Sequence, residues 1–146
     1  MPDKLAAVQA VIFTALLFAA SVCDLKSREI PDWLNGAIAL TALLSFTPWN
    51  LLGILTGLPF LIAAVTCGGM GGGDIKLMAA SGHVLGLPGG IAATILGLSA
   101  MLPVCGTVTL IKRLRGNREK IPFPLGPFLA AGCLAAYFMK MEGLIL

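Results

Sequence analysis

Asp24 and Asp74 are carboxylates placed at the edges of long apolar stretches. Asp24 follows the stretch from Leu5 to Cys23. Asp74 follows Gly68-Gly69-Met70-Gly71-Gly72-Gly73 and precedes the stretch that starts at Ile75. Two carboxyls held within a few ångströms cannot both ionise comfortably, so such a pair keeps one proton between them. The ionised member can take a proton from water attacking an amide carbonyl, while the protonated member polarises that carbonyl and helps the amine leave. The chemistry requires no covalent nucleophile, and no cofactor or metal is expected. The plainer alternatives are an N-cap role for Asp74, which would satisfy free helical N–H groups, and an ordinary loop position for Asp24. A helix C-terminus, where Asp24 falls, disfavours an anion.

The elements that position these residues follow from composition. Of 146 residues, 58% are hydrophobic and 12% charged, and the mean hydropathy is +0.94. A soluble domain carries roughly a quarter charged residues, so the chain has too few charges to cover a water-facing surface. It reads as an all-α, polytopic membrane protein in contact with the lipid bilayer. A bilayer core takes about 20 helical residues. The stretches from Trp33 to Cys67 and from Ile75 to Ile111 are too long for single spans. Thr47-Pro48-Trp49-Asn50 and Leu87-Pro88-Gly89-Gly90 interrupt them with strong turn signals. This predicts about six transmembrane helices, near 5–23, 33–47, 51–67, 75–88, 90–111 and 122–140, in a single membrane-embedded domain over residues 1–146. Residues 1–23 are expected to stay as the first span, because Ala20-Ser21-Val22 is a poor cleavage site.

Charge gives the orientation. Loops 24–32, 68–76 and 112–121 share one side of the six-span arrangement and carry eight of the ten basic residues. The positive-inside rule makes that side cytoplasmic and both termini extracytoplasmic, in the cytoplasmic membrane. The run from Lys112 to Lys120 serves as a topology anchor, and no nucleic-acid partner is expected.

The remaining motifs are weaker. Cys23, Cys67, Cys105 and Cys133 form no C-x-x-C pair, against zinc sites and disulfide frameworks. Gly68, Gly69, Gly71, Gly72 and Gly73 allow close backbone approach and positive φ, and an extended substrate could pair with such exposed backbone. The run lacks the lysine-hydroxyl ending of a P-loop. His83, about 13.5 Å along a helix from Asp74, suits packing between helices. Lys76 is placed either to tune the pair and guide a substrate or simply to anchor topology.

With these residues in view, the sequence resembles the prepilin peptidases, membrane aspartic proteases with a G-x-G-D motif. Gly71-Gly72-Gly73-Asp74 fits that motif, followed by Ile75-Lys76. Asp24, ahead of Arg28-Glu29-Ile30-Pro31-Asp32, is similar to the family's first aspartate. Pro122-Phe123-Pro124-Leu125-Gly126-Pro127-Phe128 is similar to the proline-glycine segment leading into the last helix. The resemblance implies cleavage of type IV prepilins or pseudopilins at the cytoplasmic membrane edge, with Asp24 and Asp74 catalytic and Gly71, Gly73 and Lys76 positioning. It also implies a short, peptidase-only form, because the amino-terminal C-x-x-C region linked to methyl transfer in larger members is not seen. Two other classes compete: a small transporter or channel component, and a non-catalytic partner in secretion assembly. A transporter calls for ionisable residues near the bilayer midplane, where this chain offers His83. Substrate identity and oligomeric state are not encoded in any motif found.

Overall fold

The fold, taken from a computed structural model, describes residues 2–68, 71–119 and 123–145. Gly69, Met70 and Lys120–Pro122, which figure in the expectations above, lie outside them. The described residues are helical throughout, apart from short connections. Helix α1 (Pro2–Ser27) is followed by α2 (Asp32–Thr41), a 3-10 turn (Ala42–Ser45), a 3-10 helix (Pro48–Gly57), α3 (Leu58–Cys67), α4 (Gly72–Leu114) and α5 (Gly126–Met141).

The expectation of about six transmembrane helices is corrected. Among the described residues, three helical stretches are long and apolar enough to cross a membrane: Lys4–Ser27, Pro48–Cys67 and Gly72–Leu114. Residues 33–47 become the ten-residue α2 and a short 3-10 turn. Residues 75–88 and 90–111 belong to one kinked helix of 43 residues. The last apolar segment forms an α5 of 16 residues, about 24 Å at helical rise. The protein is a multi-pass helical membrane protein whose apolar segments differ widely in length.

The kink in α4 has an identifiable cause. Gly86 adopts φ 79° and ψ 173°, a left-handed value that glycine reaches without steric cost. Pro88, two residues on, lacks the N–H that would bond the Val84 carbonyl. Lys140 near the end of α5 fills part of the gap, with Nζ donating to the carbonyls of Leu85 at 3.0 Å and Val84 at 3.3 Å. His83 Nδ1 lies 3.4 Å from the Asn50 carbonyl oxygen, and its ring meets Phe46 edge-on.

The kink brings both arms of α4 against the same neighbours. Thr56 touches the positions of Gly82 and Gly90, one on each arm, and its hydroxyl lies 2.7 Å from the Gly53 carbonyl oxygen and 3.0 Å from that of Met78. Gly53 and Gly82 pack backbone to backbone, so a Cβ on either would overlap the other's carbonyl. On the other side, Gly132 of α5 lies against Ala93 and Gly97 with no room for a Cβ. Small residues at such crossings let helix backbones approach closely, the main source of attraction where the surroundings are already apolar. The core between them holds Phe13, Leu17, Leu34, Ile38, Leu77, Met78, Leu85, Leu129 and Cys133, all almost fully buried.

Gly82→Ala is expected to lower stability by about 1–3 kcal/mol through overpacking. Gly36→Ala, where nothing lies within 4 Å of the new Cβ, should leave stability unchanged or slightly raised. Thermal unfolding of the two purified variants in the same detergent makes the comparison; equal melting would show that the Gly53–Gly82 contact is slack.

Candidate active site

Asp24 lies in the last turn of α1, which is followed by Arg28. That residue takes φ 56°, the single positive value on a non-glycine among the described residues, and its N–H bonds the Asp24 carbonyl at 2.9 Å. The left-handed turn and Pro31 redirect the chain into α2, burying Ile30 while Glu29 and Asp32 stay exposed. Asp74 lies in the first turn of α4, after Gly71 (φ −69°, ψ 136°), which precedes the first helical residue. The side chain faces inward with Leu77, Met78 and Ser81 on the same helical face.

Both carboxylates are buried, Asp24 at 6% and Asp74 at 8% exposure. They lie close enough for the charge on Asp24 to act on Asp74. Their immediate partners differ. Asp24 Oδ2 accepts the backbone N–H of Gly126 at 3.0 Å, a contact across 102 residues of sequence. Gly126 must approach closely to make it, since a Cβ there would lie 2.8 Å from the Asp24 carboxyl carbon. Asp74 Oδ1 is buried with no hydrogen-bond partner.

The residues around them occupy definite places. Gly73 packs on Ile30, whose N and Cβ lie 3.2 Å from where a glycine Cβ would be. Close approach, and not positive φ, is therefore what position 73 requires. Gly71 has only Asp74 Oδ2 within reach, at an ordinary 3.7 Å. Among the described glycines of this segment, Gly68 takes a left-handed φ of 68°. Lys76 points outward and forms an exposed ion pair with Asp32 at 2.7 Å, clipping the start of α2 to the start of α4. A hollow of about 410 Å³ opens beside the α1–α2 turn, lined by Cys23, Ser27 and Glu29–Asp32. A larger one of about 1040 Å³ includes Lys112, Arg113 and Arg118 but neither aspartate. No three His, Cys, Asp or Glu side chains among the described residues come together as a metal site.

Reading from the residues alone missed the contribution of Gly126. Its only sequence signal is the proline-flanked start of a helix, which gives no pointer to Asp24. Asn35 was missed as well: it sits 5% exposed on the inner face of α2, a polar residue among apolar ones.

Comparison with known proteins gives a consistent result. The model of the type IV leader peptidase family matches residues 11–106. A prepilin leader peptidase/N-methyltransferase of Bacillus subtilis (strain 168) is 36% identical over 138 residues, covering 88% of this chain and 54% of that protein. A protein of the same description from Xanthomonas campestris pv. campestris is 32% identical over 152 residues, covering 88% and 49%. The chain thus spans about half the length of the curated relatives it matches. No solved structure matches it.

The two polar contacts at the site should differ in weight. Lys76→Met, which removes an exposed pair, is expected to change unfolding free energy by about 0–1 kcal/mol. Gly126→Val, which forces a side chain into the Asp24 carboxyl, should cost about 1–3 kcal/mol. Thermal denaturation of the two variants in detergent measures both, and the reverse order would contradict this geometry.

Proposed function

The chain belongs to the type IV leader peptidase family, and we propose that it is an aspartic endopeptidase in which Asp24 and Asp74 form the catalytic pair. The observation that carries this reading is the convergence of two buried carboxylates from opposite ends of two helices, in electrostatic contact. The proposed substrates are type IV prepilins or pseudopilins, as the relatives' descriptions suggest, cut at the cytoplasmic edge of the cytoplasmic membrane. Residues 1–146 act as one membrane-embedded peptidase domain.

The pair begins the reaction with one proton. Its ionised carboxylate takes a proton from water as the water oxygen bonds to the scissile carbonyl carbon, while its protonated partner gives a proton to the carbonyl oxygen. The resulting diol is neutral. In the second step the newly protonated carboxyl donates to the nitrogen, the C–N bond breaks, and the other carboxylate takes a hydroxyl proton. The products are a carboxylic acid and an amine, and the pair again holds one proton. Gly126 keeps Asp24 oriented through both steps by its N–H. Gly73 keeps Asp74 in register by bringing the first turn of α4 onto Ile30, and the bare backbone at Gly71 leaves room for an extended substrate.

Asp24→Asn and Asp74→Asn should each abolish cleavage of a co-expressed prepilin while the protein still accumulates in the membrane, since an amide cannot accept the water proton. Gly73→Val should also lose most activity, because its side chain collides with Ile30. Immunoblots separating precursor from processed pilin give the answer. Full processing by either asparagine variant removes the mechanism.

A further inference from the structure

The first arm of α4, from Gly72 to Leu85, is continuous helix up to the bend at Gly86. α5 is continuous from Gly126 to Met141. Each of these two struts carries part of the candidate site at its start. Asp74 lies in the first turn of the arm, and Gly126 donates its N–H to Asp24. The struts meet again at their far ends, where Lys140 Nζ donates to the carbonyls of Leu85 at 3.0 Å and Val84 at 3.3 Å. Between these points they touch through soft side chains, with Cys133 Sγ lying 4.0 Å from Met78 Sδ. The Gly53–Gly82 crossing holds the arm to the 3-10 helix, and the Gly132 seam holds α5 to the second arm. Among the described residues, the hydrogen bonds to oxygen that join the first arm to α5 are the two made by Lys140.

A proline inside a helix frees the carbonyl four residues back, and water or a nearby hydroxyl ordinarily satisfies it. An ammonium brought in from another helix is costlier, because it must leave water. Among the described residues Lys140 forms no ion pair, so backbone carbonyls alone meet its charge. Lys140 and Lys4 are also the basic residues that stand outside loops 24–32, 68–76 and 112–121. What the lysine supplies and an apolar side chain would not is direction. Apolar contact is non-directional, whereas a hydrogen bond weakens steeply off its axis. We propose that Lys140 is a positioning residue for hydrolysis: by tying the bend of α4 to the end of α5, it sets the spacing of Asp74 from Asp24. The inference rests on the aspartate-pair reading. Asp74 stands about 15 Å along the arm from the tie, so a pivot of about 4° there displaces its carboxyl by about 1 Å. Lys140 itself touches no substrate.

The test is Lys140→Met beside Lys140→Arg, each purified in detergent and measured for melting temperature and steady-state cleavage of a prepilin. Methionine fills the space but cannot donate, and kcat should fall by about a hundredfold, the cost of a reacting group misplaced by about 1 Å. KM should keep its parental value, because the substrate's own contacts are untouched. Arginine can donate to both carbonyls and should restore most of the parental kcat. Lys140→Gln, with an N–H donor on a shorter stem, should fall between the two and gives the reading if the methionine variant does not accumulate. Parental kcat in the methionine variant, or in the glutamine variant where it stands in, overturns the proposal. So does an arginine variant as slow as the methionine one. A lowered melting temperature with kcat and KM both altered overturns it too, since Lys140 would then be a packing residue. Failure of the catalytic pair itself is distinguishable, because it appears as activity in Asp74→Asn whatever Lys140 does.

Discussion

Contact between glycine-faced backbones is the constraint on which the rest of this structure depends. In apolar surroundings leucine gains little by leaving lipid for another helix, so attraction must come from close packing and from polar groups satisfied between helices. The crossing of Gly53 and Gly82, closed by the Thr56 hydroxyl, draws the first arm of α4 against the 3-10 helix. The crossing of Gly132 with Ala93 and Gly97 draws α5 against the second arm. These two seams fix the heights of Asp74, at the start of one arm, and of Gly126, at the start of α5. The placing of the two aspartates follows from packing six to eight residues further along the chain.

The candidate site is asymmetric in its support. Asp24 is held by a backbone N–H that cannot rotate away, at a helix start where glycine is needed for clearance. Asp74 is held by its own backbone turn and by the packing of Gly73 on Ile30, while one carboxyl oxygen has no protein partner. The exposed Lys76–Asp32 pair closes the outer edge and contributes little energy by itself. A rigid carboxylate beside one with a free oxygen is a reasonable division of labour for chemistry in which one group anchors and another exchanges its contacts.

The all-α membrane character was legible in composition, and family membership in Gly71–Asp74 and Arg28–Pro31. Apolarity marked which segments avoid water. It did not mark where a helix stops: residues 33–47 are as greasy as a span but break into α2 and a 3-10 turn, and the glycine-proline break near 88 became a kink within a single helical stretch. Hydropathy integrates over a window, whereas helix continuity is decided by individual dihedrals such as that of Gly86. Gly68 and Gly73 read alike in the sequence, yet one needs left-handed φ and the other needs clearance. The Gly126–Asp24 contact was illegible for another reason. It joins a backbone atom to a side chain across most of the chain, and backbone N–H groups carry no sequence signature.

That same contact has a consequence for biosynthesis. A chain made from its amino terminus inserts α1 early and must carry Asp24 through the addition of about a hundred further residues before its partner amide exists. Lys140, which caps the bend of α4, arrives later still. The carboxylate environment is therefore completed only when α5 docks, and the nascent chain passes its membrane-insertion stage with an unassembled centre. The contact that holds the carboxylate of the first helix is thus one of the last that the growing chain can make.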